Sequence, residues 1–167
     1  MATFTSFEGR INSIEDFYTS SKAESGCTKL ISVVNREGAI FNFVVTTETY
    51  FINHVTVQVG DIVVAFYDTS LPAPMIYPPQ FRAVVIGIVS DSYSIAVDFF
   101  NKRLTNRTRT LQLNIGPETI VMLTNDQLFS GSPGNHNLAV LYDITTRSIP
   151  AQTTPLQVIV LCYNPTK

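Results

Sequence analysis

The sequence predicts an all-β protein with little helix, organised as two small, tightly fused, internally duplicated barrels. Three observations lead there. Short apolar runs show two-residue alternation or a β-branched composition, both signs of strands. Turn-forming residues punctuate those runs at close intervals. One ordered series of elements also occurs twice along the chain. The 167 residues are 45% hydrophobic and only 14% charged, a composition that builds a core and does not describe a disordered chain.

From the N-terminus, residues 13–23 carry the best helical signal, a possible capping box of Ser13 and Asp16. β-Branched and aromatic residues crowd it, so a turn or two of helix is the most expected there. Phe41-Asn42-Phe43-Val44-Val45 alternates as a half-buried strand does, and Val57-Gln58-Val59 does so briefly. The unbroken runs 62–67 and 83–89 suit strands covered on both faces or closed into a barrel. Leu111-Gln112-Leu113-Asn114-Ile115 alternates again, and a second short helix is expected near 125–129. Turns are read at Arg36-Glu37-Gly38, Val59-Gly60-Asp61, Gly116-Pro117 and 131–135.

The repeat is carried by four matches in order. Residues 41–51 align without a gap with 111–121, and the Glu-Thr pair recurs as Glu48-Thr49 and Glu118-Thr119. Tyr67-Asp68 then meets Tyr142-Asp143, Leu71-Pro72-Ala73 meets Ile149-Pro150-Ala151, and Pro79 with its following strand meets Pro155 with its own. Each copy holds about five short strands and no stretch long enough for a helical crossover, which points to an OB-like barrel, where closure removes exposed edges. The expected units are 1–80 and 81–167. The strand near 81–89 is shared at the seam, because Phe81, Ala83, Val85 and Ile88 align with Phe7, Gly9, Ile11 and Ile14.

Residues 65–80, Ala-Phe-Tyr-Asp-Thr-Ser-Leu-Pro-Ala-Pro-Met-Ile-Tyr-Pro-Pro-Gln, and the segment 142–155 carry a family resemblance. They resemble an uncharacterised module of spore-forming Gram-positive bacteria that often sits beside the copper amine oxidase N-terminal domain in exported or surface proteins. The resemblance spans about Gly9 to Leu161. It implies an extracytoplasmic or cell-surface setting and no known catalytic activity, and it supplies no residues of known role.

The Tyr-Asp loops are the candidate site. Tyr67, Asp68, Tyr77, Tyr142, Asp143 and Arg147 would frame a ligand groove, with tyrosines as flat stacking surfaces and Arg147 and the aspartates as polar handles. The competing reading is that duplicated corners carry duplicated side chains because both close a barrel in the same way, with Arg147 paired to Asp143 or Asp68. Pro72, Pro74, Pro78 and Pro79 make the first loop extended and stiff.

Other chemistries find little support. A net charge of −2 and a pI near 5.6 argue against nucleic acid, and residues 102–109, the basic cluster, read as a solvated hairpin turn. His54 and His136 have no metal-ligand partner at recognisable spacing, so no metal or other cofactor is expected. Nucleophile elbow, P-loop and dinucleotide motifs are missing, and Glu48 and Glu118 read as turn caps. Cys162, ending an apolar run, is expected to be buried, and Cys27 to lie in a loop. No apolar run reaches the length of a membrane helix, which predicts no membrane insertion. Met1 to Arg10 shows no signal-peptide pattern, so a complete chain would be cytoplasmic, against the setting the resemblance implies. The expectation is a non-catalytic module that binds a protein or glycan polymer. The alternative is a self-associating structural component of a bacterial surface or spore layer.

Overall fold

A computed structural model describes residues 1–18 and 26–165. The fold is all-β: twelve strands are described, and the one helical element among the described residues is the 3-10 turn Ile52–His54. The chain divides into two compact units, Met1–Val89 and Ser90–Lys167.

The first unit is built on a long strand, β1 (Phe4–Asp16), which serves two neighbours. Its first half pairs antiparallel with β5 (Ile62–Asp68), and its second half with β2 (Lys29–Val34). The register slips between Ile11 and Ser13, an irregularity that bends a strand and lets it leave one partner for another. At Gly9 the backbones come so close that an added Cβ would lie 2.4 Å from the Val34 carbonyl oxygen. β2 pairs antiparallel with β3 (Ile40–Val45), and β5 with β6 (Gln80–Ile88). β6 also pairs in parallel with β3 and with the two-residue β4 (Tyr50–Phe51). The ladder β3-β2-β1-β5-β6 thus returns to β3 and closes on itself. Inside it lie Ile11, Ile31, Val33, Phe43, Val63, Ala65 and Ile86, the alternate residues of their strands.

The second unit opens on β7 (Ser94–Phe100) and continues through β8 (Leu111–Leu113), β9 (Ile120–Leu123), β10 (His136–Tyr142), β11 (Ala151–Thr153) and β12 (Gln157–Val160). β10 lies antiparallel between β7 and β12, β12 pairs in parallel with β9, and β11 in parallel with β8. Phe100, Leu111, Leu113, Leu138, Val140, Val158 and Val160 fill its core.

Several local expectations give way to tertiary pairing. Residues 13–16 are the end of β1, not helix, because Ser13 and Ile14 pair with Ser32 and Ile31 across the ladder; residues 19–23 of that expectation lie outside the described residues. Residues 124–126 turn the chain, with the Leu123 N–H donating to the Gln127 carbonyl at 2.8 Å, and Leu128 bridges back antiparallel to Met122 in place of the helix expected at 125–129. Cys162 is exposed because β12 ends at Val160 and the backbone turns left-handed at Cys162 (φ 48°); Cys27 is also exposed, and among the described residues the two form no disulfide. The strand expected at the seam is β6, whose described partners are β3, β4 and β5, while β7 opens the second unit.

Candidate functional site

Tyr67 and Asp68 end β5, where the chain leaves the barrel for the proline-rich segment 69–79. Tyr67 is no stacking platform. It is 7% exposed, with its ring stacked on Phe81 at 4.2 Å and close to Phe43 and Phe41. Phe7 extends the cluster by stacking on Phe41 at 4.0 Å. Burial pushes the Tyr67 hydroxyl pKa up.

Asp68 is a corner. Its Oδ1 accepts the N–H groups of Thr3 and Ser70, both at 3.0 Å, and the Ser70 hydroxyl at 2.7 Å. Thr69 completes the clasp by donating its N–H and its hydroxyl to the Thr3 carbonyl. A carboxylate satisfied in this way ties the start of β1 to the end of β5 and launches the loop. Beside it lies a cavity of about 210 Å³ lined by Tyr67, Asp68, Leu71, Pro72, Pro74 and Phe81. Tyr77 does not line it; this side chain is 83% exposed, next to Met75 at 102% and Ile76 at 54%.

Tyr142, Asp143 and Arg147 belong to the second unit. Tyr142 is half-buried against its core. Asp143 is exposed and, among the described residues, accepts locally from the Ile144 N–H at 2.7 Å. Arg147 is exposed and, among the described residues, makes no ion pair with Asp143, one of the two partners read for it from the sequence. The loop around it braces itself: Thr146 exchanges bonds with Gln152, and the Thr153 hydroxyl donates to the Ile144 carbonyl at 2.6 Å. Ile144 and Ile149 nevertheless stand in solvent, 78% and 92% exposed. Sequence reading missed these aliphatic side chains. Their signal was present, since apolar residues set among prolines and polar residues have no strand in which to turn inward.

The turn role expected for Glu48 and Glu118 falls to the threonines that follow them. Thr49 Oγ1 accepts the Thr46 N–H at 3.1 Å and donates to the Ala83 carbonyl at 2.8 Å. Thr119 Oγ1 accepts the Gly116 N–H at 3.1 Å and donates to the Pro155 carbonyl at 2.7 Å. Both glutamates are exposed.

The basic segment 102–109 is held by two asparagines. Asn101 Oδ1 accepts from Arg103 and Thr105, and Asn106 Oδ1 from Thr110 and Leu111. Its arginines stay exposed. Asp98 of β7 accepts the N–H groups of Phe99 and Arg107. Burial pushes its carboxyl pKa up, and those two donors and the Arg107 charge pull it partly back. His54 is exposed beside the Tyr50 ring, and His136 Nδ1 lies 2.8 Å from the Gly134 carbonyl. Among the described residues no three His, Cys, Asp or Glu side chains gather as a metal site would need, and no helix is long and apolar enough to cross a membrane. No protein-family model, no curated protein and no solved structure matches this chain.

Proposed function

We propose that the chain is a non-catalytic interaction module made of two related OB-like barrels, which grips a protein or glycan polymer through the loop that follows the Tyr-Asp strand in each. The observation that carries this reading is the exposure of large apolar side chains in both loops: Met75, Ile76 and Tyr77 in one, Ile144 and Ile149 in the other. Segment 69–79 holds no charged residue, which suits an uncharged or apolar partner surface. A free protein gains nothing from leaving such groups in water.

The ladders support the kinship of the barrels. Asn42 pairs with Gln80 and Phe43 with Phe81; 70 residues on in the first strand and 72 in the second, Gln112 pairs with Gln152 and Leu113 with Thr153. Tyr50 opposite Val85 becomes Ile120 opposite Gln157 in the same steps. On the same offsets Tyr77-Pro78 would match Ile149-Pro150, an alternative to the Leu71-Pro72 match read from the sequence. Ring closure with a parallel β3–β6 pair in a five-stranded ladder supports the OB-like assignment of the first barrel.

The test is co-sedimentation of the full chain with insoluble peptidoglycan, alongside analytical ultracentrifugation of the protein alone. Burying one such side chain is worth about 1.5–3 kcal/mol. A Met75→Ser/Tyr77→Ser variant should therefore lose at least about tenfold in affinity. Self-association lost in the same variant would favour the structural-layer reading that the resemblance also implies. A chain that neither pellets nor associates, or a variant that behaves as the parent does, would refute the loop assignment.

A further inference from the structure

The first unit holds a second feature, an open cavity of about 560 Å³ at the bend of β1, for which the loops have no use. Among the described residues its lining sets the aliphatic side chains of Val34, Ile62 and Val89 beside Arg10, Arg36, Asn12, Asn35 and Glu8. Arg10 stands directly opposite Val34 on β2 and Ile62 on β5, so the three side chains share one face in a cross-strand row. The Val89 N–H donates to the Ile62 carbonyl at 2.9 Å and brings Val89 to the same wall.

Arg36 reaches the cavity from the β2–β3 hairpin, whose shape is dictated locally. Asn35 Oδ1 accepts the Glu37 and Ala39 N–H groups, and Gly38 takes the left-handed conformation (φ 84°) that glycine adopts without a steric cost. The Arg10 and Arg36 side chains make no hydrogen bond or ion pair among the described residues. Among the described residues Glu8 is the one carboxylate in the lining against Arg10 and Arg36, a net cationic set in a chain of charge −2.

We infer that this cavity binds a small amphiphilic anion, an aromatic or branched aliphatic body carrying one phosphate or carboxylate. The guanidiniums take the oxygens in charge-assisted hydrogen bonds, and Val34, Ile62 and Val89 take the body. The volume falls in the range of small-molecule sites.

The probes are phenyl phosphate, phenylacetate and inorganic phosphate, titrated calorimetrically into the full chain, with amide NMR shifts locating the site. Phenyl phosphate or phenylacetate should bind at least about tenfold tighter than inorganic phosphate, with shifts at Arg10, Val34, Arg36 and Ile62. Arg10→Gln and Arg36→Gln should each weaken binding about tenfold or more, the worth of one charged hydrogen bond. Arg109→Gln, in the second unit, should leave it unchanged. Both arginines are exposed, so far-UV circular dichroism should not change in either variant. Four results would overturn the assignment: no binding of either aromatic anion at millimolar concentration, equal binding of inorganic phosphate, unchanged affinity in the Arg10→Gln/Arg36→Gln double variant, or shifts confined to the second unit.

Discussion

Replacing Gly9 by alanine tests the closed strand ladder of the first unit at a point of close backbone approach. The new methyl group would sit 2.4 Å from the Val34 carbonyl oxygen, 2.7 Å from the Val34 carbonyl carbon and 2.9 Å from Val33 Cγ1. Two of those atoms are backbone, so no rotamer change relieves the contact and β2 itself must retreat. Retreat strains the pairs Arg10–Val34 and Ile11–Val33 and loosens Val33, which is 1% exposed. Overpacking of a filled core costs about 1–3 kcal/mol, and a weakened ladder hydrogen bond about 1 kcal/mol more. The expected loss is about 3 kcal/mol. With a urea dependence of about 2 kcal/mol per molar, the unfolding midpoint of the first unit should fall by about 1.5 M. The chain has no tryptophan, so far-UV circular dichroism and tyrosine fluorescence are the probes. A midpoint within about 0.3 M of the parent would refute the claim that β1 and β2 meet backbone to backbone at this residue.

Two further predictions concern stability. Thr49→Val and Thr119→Val each remove a hydroxyl that accepts one N–H and donates to one carbonyl, and each should cost about 1–2 kcal/mol by chemical denaturation; a cost below about 0.5 kcal/mol would show the hydroxyls to be idle. Asp98, whose folded pKa is raised, adds stability below the carboxylate range of the unfolded chain, near pH 4, and loses it as pH rises through the raised value. Relative to the parent, Asp98→Asn should therefore gain melting temperature between about pH 4 and neutrality, and a relative loss over that interval would reverse the assigned cause.

The strands that were legible in the sequence are those whose neighbours lie on one side. Phe43 and Val45 on β3, and Leu111 and Leu113 on β8, turn inward at every second position, so alternation alone announces them. The run 83–87 announced itself differently, as residues buried without a break. The capping box read at Ser13 and Asp16 misled about residues 13–16, because a capping signal is local and β2, the strand that overrides it, lies further along the chain.

The candidate site divides along the same line. The Tyr-Asp pairs were visible as a repeat, yet Tyr67 is sealed among Phe41, Phe43 and Phe81, whereas Tyr142 stays half-exposed. Asp68 clasps Thr3, whereas Asp143 caps its own neighbour. Like letters acquired unlike duties.

The amino-acid order by itself determined that this chain folds as sheet, where its turns fall, and that the Tyr-Asp pair and its proline-bearing loop occur twice. Those properties depend on neighbours a few residues away: pleat alternation, fixed proline torsions and asparagine turns. The tertiary structure decided which strands join, which tyrosine is sealed and which loop residues stand in water. It also set Arg10 and Arg36, from a strand and a distant hairpin, in the lining of one cavity with Val34, Ile62 and Val89. Such juxtapositions arise when β1 bends and the ladder closes, and a contact between residues far apart in the chain has no local signature.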